Sequence, residues 1–405
     1  MIRTTPFHPR LQELNTQGLY THWQGFLSPL RYSSAPKHEY FAVRNAVGVF
    51  DTSPLFKYRI TGPDAERLLA WALVRDVRRC RPGRAQYTAW CDDRGFVMED
   101  GVVFRHSESD FLLTAARPNL GWFTDLAGSL RVHLEDVSDE YGIVAVQGPR
   151  SRAALSSLMP EVRSLAFFDH TPAKLASAPV TVSRTGYTGD LGFEITVESD
   201  RALAVLDAVL AVGAPHGMRP FGEEALMMLR IEAGLPLIDV EWHNTRTAFT
   251  DADRVTPKEL GLGWMLPKSS LEQDDRAFIG RQAIRREITE GTSRWATVGI
   301  VVDWADWDRL HRDAGLLPKK SEHPLPYESM LYDAHEDGTH LGYVTSFLYS
   351  PVLQRHIGLA RVRPDMATAG TEVHLELAIA HCNTTVKART AKLPLFNPSR
   401  KTAAE

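Results

Sequence analysis

After Gly192, hydrophobic residues fall at Phe193, Ile195 and Val197 and polar ones at Glu194 and Thr196. Side chains alternate between faces along a strand, so this segment reads as a half-buried strand with Glu194 turned away from the core. The same period of two predicts strands over 87–90, 96–105 and 110–115, with the turn Cys91-Asp92-Asp93-Arg94-Gly95 joining the first two, as one antiparallel sheet. Tyr58-Arg59-Ile60-Thr61-Gly62-Pro63-Asp64-Ala65 reads as strand, turn and helix start, with the helix over 65–74. Ile143-Val144-Ala145-Val146-Gln147-Gly148-Pro149-Arg150 repeats that order of strand, Gly-Pro and helix, which hints at two related units. Helical spacing is clearest over 201–212 and 221–233, and Gly234 follows the second as a C-terminal cap. The stretch 251–286, rich in charge and turn residues, reads as a linker, and strands dominate again from 297 to about 392. The polar end, 397–405, is expected to fray. The elements mix without the regular alternation of a doubly wound parallel sheet, so the fold class is α+β.

Composition narrows the functions. A chain of 405 residues that is 43% hydrophobic buries a substantial core, and its length suggests two or three domains. A net charge of −4 gives no bulk attraction for phosphate backbones or acidic membranes. Nucleic acid and membrane are therefore not expected partners, and small molecules are. Cys80, Cys91 and Cys382 are too few and scattered for a disulfide framework or a paired metal motif, so no metal is expected. The first residues lack the apolar run of a signal peptide, and nowhere do about 18 apolar residues follow one another. A cytoplasmic enzyme or binding protein is expected.

Three places carry candidate chemistry. Arg184-Thr185-Gly186-Tyr187-Thr188-Gly189-Asp190-Leu191-Gly192 runs straight into the strand bearing Glu194. Its glycines permit close approach by a flat ligand, and Tyr187 offers a ring and a hydroxyl; the plainer reading is a hairpin entry with a solvated Glu. In Met98-Glu99-Asp100-Gly101-Val102-Val103-Phe104, alternation puts Asp100 on the side of Met98, Val102 and Phe104. A carboxylate on an apolar face needs a partner, which is either a structural salt bridge or a ligand. Arg230, one helical turn from Leu226, reads either as a surface arginine laid over the core or as a site residue.

The glycine-punctuated segment resembles the signature of the folate-binding aminomethyltransferase family, whose best-known member is the T-protein of the glycine cleavage system. Further blocks agree in order: Pro29-Leu30-Arg31-Tyr32, Glu39 to Arg44, Gly48-Val49-Phe50-Asp51-Thr52-Ser53, and Gln86-Tyr87-Thr88 followed by Glu99-Asp100. Leu229 to Gly234, Leu262-Gly263-Trp264, Phe278-Ile279-Gly280-Arg281 and Gly342-Tyr343-Val344-Thr345-Ser346 with Ser350-Pro351 complete the series. The resemblance implies a three-domain cloverleaf of antiparallel sheets with a C-terminal β-barrel-like domain around a central folate funnel. Its units would be 1–50 with 140–250, 51–139, a linker 251–290, 291–395 and a tail 396–405. It implies tetrahydrofolate as cofactor, held by Glu194 against the pterin N3–H and 2-amino group, with Tyr87 and Tyr187 lining the pocket. Asp100 would stand beside the folate nitrogens as the catalytic carboxylate, to orient N5 or manage its proton, and Arg230 would meet a substrate or folate carboxylate near the funnel.

Departures from the T-protein pattern bear on the substrate. Pro54-Leu55 stands where T-proteins carry His-Met, and Leu235-Pro236-Leu237-Ile238-Asp239 replaces a Leu-Tyr-Gly type. These changes look like the demethylase branches, which move a methyl group from a sulfonium, an amine or an aromatic ether to tetrahydrofolate. Phe56, Tyr58, Trp90, Trp242 and Tyr349 are candidates for a cage around a small methylated substrate, with Tyr32 beside them. His22, His38 and His243 are candidates for the acid that an ether leaving group needs. Two alternatives stand: an aminomethyltransferase served by a lipoylated carrier protein, and a non-enzymatic folate-binding protein of iron–sulfur maturation. The latter type carries a Lys-Gly-Cys-Tyr-x-Gly-Gln-Glu motif that this chain lacks, and no Gly-x-Gly-x-x-Gly loop marks a fused flavin domain.

Overall fold

A computed structural model describes residues 2–266, 271, 276–318, 320, 328–333 and 338–403. A hairpin, β1 (Leu19–Trp23) and β2 (Phe26–Arg31), precedes β3 (Val47–Asp51). Next come β4 (Phe56–Thr61), β5 (Arg84–Cys91), β6 (Val97–Arg105), β7 (Asp110–Ala115) and β8 (His133–Asp136), which form an antiparallel sheet of order β5-β6-β7-β4-β8. A second sheet, of order β10-β11-β12-β9-β3-β13, takes β3 back between β9 (Tyr141–Gln147) and β13 (Met218–Pro220). Its remaining members are β10 (His170–Leu175), β11 (Ala178–Ser183) and β12 (Gly192–Glu198). The first sheet is thus an insertion between two segments that share the second. The C-terminal strands β14 (Ala296–Val302), β15 (Ser329–Tyr332), β16 (His340–Ser350), β17 (Arg355–Val362), β18 (Glu372–Ile379) and β19 (Cys382–Ala391) close a barrel in the order β14-β17-β16-β15-β18-β19. Among the described residues no helix is long and apolar enough to cross a membrane.

The two sheets share a plan that the Gly-Pro repeat hints at. In each, one strand leads through Gly-Pro into a helix, a three-stranded meander follows, and its last strand returns beside the first: β7 beside β4, and β12 beside β9. Gly62 and Gly148 both hold φ near the same positive value, +120° and +127°. A Cβ on either would stand 2.5 Å from a backbone oxygen, of Arg131 and Val43 respectively, so only glycine lets the strand turn there.

Two stretches differ from expectation. Of 251–286, residues 267–270 and 272–275 lie outside the described residues; the rest is not a solvated linker. Val255, Leu260, Leu262 and Phe278 are buried with Trp242, Cys91 and Val97, because the charged residues between them alternate with apolar anchors that seat on the inserted sheet. The end of the chain is not frayed through residue 403. Arg400 pairs with Asp190 at 2.7 and 2.8 Å, and buried Arg184 donates to the carbonyls of Arg400, Lys401 and Ala403. Residues 404 and 405 lie outside the described residues.

Candidate active site

The hairpin, both sheets, the helix Glu223–Glu232 and the barrel enclose a cavity of about 1360 Å³. That exceeds the roughly 300–1000 Å³ of common small-molecule pockets, which leaves room for an extended ligand and a second molecule.

One wall is the open face of the second sheet. Phe193, Ile195 and Val197 enter the core while Glu194 and Thr196 line the cavity, as strand alternation requires. Glu194 accepts from the Thr185 hydroxyl, and burial raises its pKa above the ordinary glutamate value while that bond opposes the rise. No basic side chain among the described residues pairs with it. The glycine-rich turn is held from behind by Gln147, whose Nε2 donates to the carbonyls of Thr185 and Phe193 and whose Oε1 accepts from Thr188. A Cβ on Gly186 or Gly192 would lie 2.0 or 2.3 Å from that Oε1, so both positions must be glycine for Gln147 to clamp the turn. The Tyr187 hydroxyl donates to Pro236 O at 2.5 Å, which leaves the ring rather than the hydroxyl for a ligand.

The facing wall carries Asp100. Here a β-bulge overrides simple alternation: Trp90 pairs with Glu99 and Cys91 with Val97, so Met98 is an extra residue. Met98 therefore enters the core behind the sheet, while Asp100, Val102 and Phe104 face the cavity. The Tyr87 hydroxyl donates to Asp100 Oδ2 at 2.5 Å. Burial pushes the Asp100 pKa up to about 6, with the Tyr87 bond holding it down against that push. Its neighbour Glu99 is fully buried on the opposite face; burial first, and the Asp100 charge second, push it up to about 9. Its Oε1 accepts from the Asp100 amide at 3.1 Å, and its Oε2 has no hydrogen-bond partner. At neutral pH the pair thus holds a neutral Glu99 and a mostly ionised Asp100. The Tyr87 ring stacks 6.4 Å from Trp264, an exposed ring at the cavity that periodicity alone does not distinguish.

Arg230 does not reach the cavity. It is fully buried and donates to Glu241 Oε2 and Ser346 Oγ, both at 2.8 Å. Glu241 also accepts from Ser346, Thr345 and the Leu237 amide. Two residues beyond Arg230, Glu232 accepts from Tyr40, Arg44 and Ser350. The sequence blocks around Glu39, Leu229 and Gly342 thus meet as two buried polar knots tying the helix Glu223–Glu232 to the N-terminal segment and to β16. Helical spacing placed Arg230 beside an apolar stripe, but the barrel that covers it comes from over a hundred residues later.

The expected aromatic cage does not form. Phe56, Tyr58 and Trp90 pack with Trp122 and Phe123 inside the inserted unit, where Tyr58 and Trp90 bond Asn119. Trp242 is buried among Ile238, Val255 and Leu260, and Tyr32 is buried in the core of the second sheet. Tyr349 sits in the barrel against Trp304 and His356, and His243 is exposed beside Asp239. Large rings fill the cores their strands supply, and strand alternation does not reveal which face meets the cavity. Of the three histidines, His22 alone lines the cavity; His38 is exposed elsewhere. Trp23, Phe50 and Phe221 are among the further rings that line the cavity, with Glu223 and Glu241 as further carboxylates.

Residues 7–270 match the GCVT N-terminal domain, and residues 312–397 match the glycine cleavage T-protein C-terminal barrel domain. The chain is 33% identical to an aminomethyltransferase of Streptomyces coelicolor over 87% of each chain, and 32% identical to an aminomethyltransferase of Shouchella clausii over 93% of each. It is 34% identical to a trimethylamine-oxide aldolase of Ruegeria pomeroyi over 93% of its own length but spans only 45% of that protein. The crystal structure of glycine cleavage system aminomethyltransferase T from Bartonella henselae has the same fold, with a TM-score of 0.80 at 22% identity over 98% of this chain and 99% of that one.

Proposed function

The chain belongs to the glycine cleavage T-protein family and is a one-carbon transferase that uses folate, and we propose that it moves a methyl group from a small O-, N- or S-methylated donor to N5 of tetrahydrofolate. One observation carries the choice of donor: the two segments that depart from the T-protein pattern both face the cavity, as Leu55 and as residues 235–238. The difference therefore lies where a donor would sit. A relative that shares this chain over 45% of its own length is named for trimethylamine oxide, an N-methylated compound, which bears on the class of substrate and not on the group transferred.

The cavity fits a reduced folate in volume and in donor set. Glu194 is a half-buried acceptor without a counter-ion among the described residues, suited to two adjacent N–H groups; charge-assisted bonds of this kind are worth about 1.5–3 kcal/mol each. The Tyr187 ring and the glycine-rich turn give it a flat neighbour. Tetrahydrofolate supplies a nucleophilic nitrogen that takes up the one-carbon unit and gives up a proton. The Asp100 carboxylate, ionised through its Tyr87 bond, is the group that takes a proton at Oδ. Holding the two reactants in line would supply a large part of the rate enhancement.

A second reading, transfer of an aminomethyl group from a lipoylated carrier protein, is favoured by the names of the relatives that match end to end. Incubation with tetrahydrofolate and a panel of methyl sulfonium, N-methyl and methoxy-aromatic compounds separates the two. The first reading requires 5-methyltetrahydrofolate from one of them. Methylene-tetrahydrofolate and ammonia formed only with a lipoylated carrier would establish the second.

A further inference from the structure

Within the methyl-donor reading, on which this step rests, we infer that the donor is a small organic cation whose charged head is held by Glu223 against a ring wall of Trp23, Phe50 and Phe221. Three separate segments build this corner of the cavity. The tip of the β1–β2 hairpin supplies Trp23, β3 supplies Phe50, and the stretch that leads from β13 into the helix Glu223–Glu232 supplies Phe221 and the first helical residue, Glu223. The rings form a continuous surface, with centroids 6.2 Å apart from Trp23 to Phe50 and 5.1 Å from Phe50 to Phe221.

The carboxylate is fixed in place. Ser28 donates to Glu223 Oε1 at 2.7 Å, and Glu39 accepts from the amide of Gly222 at 2.8 Å, which sets the backbone just before it. Its neighbour Glu224 has Arg31 within 3.6 Å, but no Lys, Arg or His among the described residues pairs with Glu223. A carboxylate drawn into a cavity wall without a counter-ion is destabilised in its charged form, and burial pushes Glu223 up to about 7. A ligand cation supplies the missing charge, and the rings favour it again through their negative faces. A neutral methoxy-aromatic would cover the rings but leave the carboxylate stripped of water with nothing in exchange.

The corner is also correctly placed. Glu194 lies opposite Ala145 on β9, and Ala145 lies opposite Phe50 on β3. Phe50 and Glu194 therefore stand in one row two strand spacings apart, about 10 Å. Donor head and folate ring would occupy neighbouring positions on one sheet face.

Calorimetric titration of the full chain with choline and with its neutral isostere 3,3-dimethylbutan-1-ol tests the inference. Choline is expected to bind at least tenfold more tightly than the alcohol. In Glu223→Gln that preference should fall to within twofold, and in Trp23→Leu both ligands should weaken. Equal binding of the two probes by the unaltered protein, a preference that survives Glu223→Gln, or tighter binding of 4-methoxybenzyl alcohol than of choline would overturn it. Titration of the same variants with folinic acid reports the folate site independently and checks folding. Folinic acid binding without choline binding sinks this inference alone, whereas Glu223-dependent choline binding without folinic acid binding keeps the cation site but sinks the folate reading and, with it, the role of that cation as donor.

Discussion

Replacing Tyr87 with Phe removes one hydroxyl and leaves the ring that packs against Trp264. The bond lost is the 2.5 Å donation to Asp100 Oδ2. A hydrogen bond to an ionised acceptor is worth about 1.5–3 kcal/mol, and 1.36 kcal/mol corresponds to one pKa unit, so the Asp100 pKa should rise by roughly 1–2 units. The sign follows from the charge: the donor favours the carboxylate, so its removal favours the acid. From a starting value of about 6, Asp100 moves to roughly 7–8, and its ionised fraction at pH 7 drops from about nine-tenths to between one-half and one-tenth. If Asp100 takes a proton during transfer, the acidic limb of kcat/KM against pH shifts by that amount toward alkaline pH, while the rate on the high-pH plateau changes much less. Carbon-13 NMR of the aspartate carboxyls reads the same shift without turnover. An acidic limb unmoved in a variant that still binds folinic acid would refute the assignment of Asp100 as the proton acceptor.

Glu194→Ala should weaken folate binding about 100-fold or more by calorimetry, since two charge-assisted bonds are lost; unchanged affinity would remove the proposed pterin anchor. Glu99→Gln tests the buried acid. The folded chain holds its proton up to about pH 9, whereas the unfolded chain releases it near 4.5, so wild-type stability should fall as pH rises through that window. The urea midpoint of Glu99→Gln should accordingly gain on wild type between pH 5 and pH 9, and a constant difference would contradict the burial argument. Arg230→Met leaves Glu241 buried without its cation and should cost about 3–5 kcal/mol in urea unfolding, with part recovered by adding Glu241→Gln. Full stability of the single variant, with lost folate binding, would return Arg230 to the ligand.

Local pattern reached far into this fold and stopped at the same kind of place each time. The alternation after Gly192 placed Glu194 on the face that lines the cavity, because one strand decides it. Asp100 also faces the cavity, but Met98 does not share its side: the extra residue of a bulge is set by the partner strand, which the sequence of β6 does not contain. Trp23, Phe50 and Phe221 sit in three separated segments with no common motif, so nothing short of the assembled sheet brings them together. Trp90 and Tyr58, by contrast, look equally suited to a cage and are used as core by helices that arrive later in the chain. Arg230 and Glu232 stand two residues apart on a helix whose partners, Ser346 and Ser350, belong to the barrel. The tail shows the same limit: Arg400 reads as polar and loose until Asp190 is placed beneath it.

The position of β3 bears on how the molecule is made. On the ribosome, Val47, Val49 and Phe50 emerge well before either neighbour, because 141–147 and 218–220 have yet to be synthesised. The inserted strands, 56–136, can meanwhile close their own sheet from contacts short in sequence. A nascent chain therefore carries a finished unit beside an apolar edge awaiting its mates, the state in which aggregation and chaperone capture compete with folding. A translational pause placed once 141–147 has cleared the ribosomal exit tunnel should lower the yield of native protein less than the same pause placed before it clears.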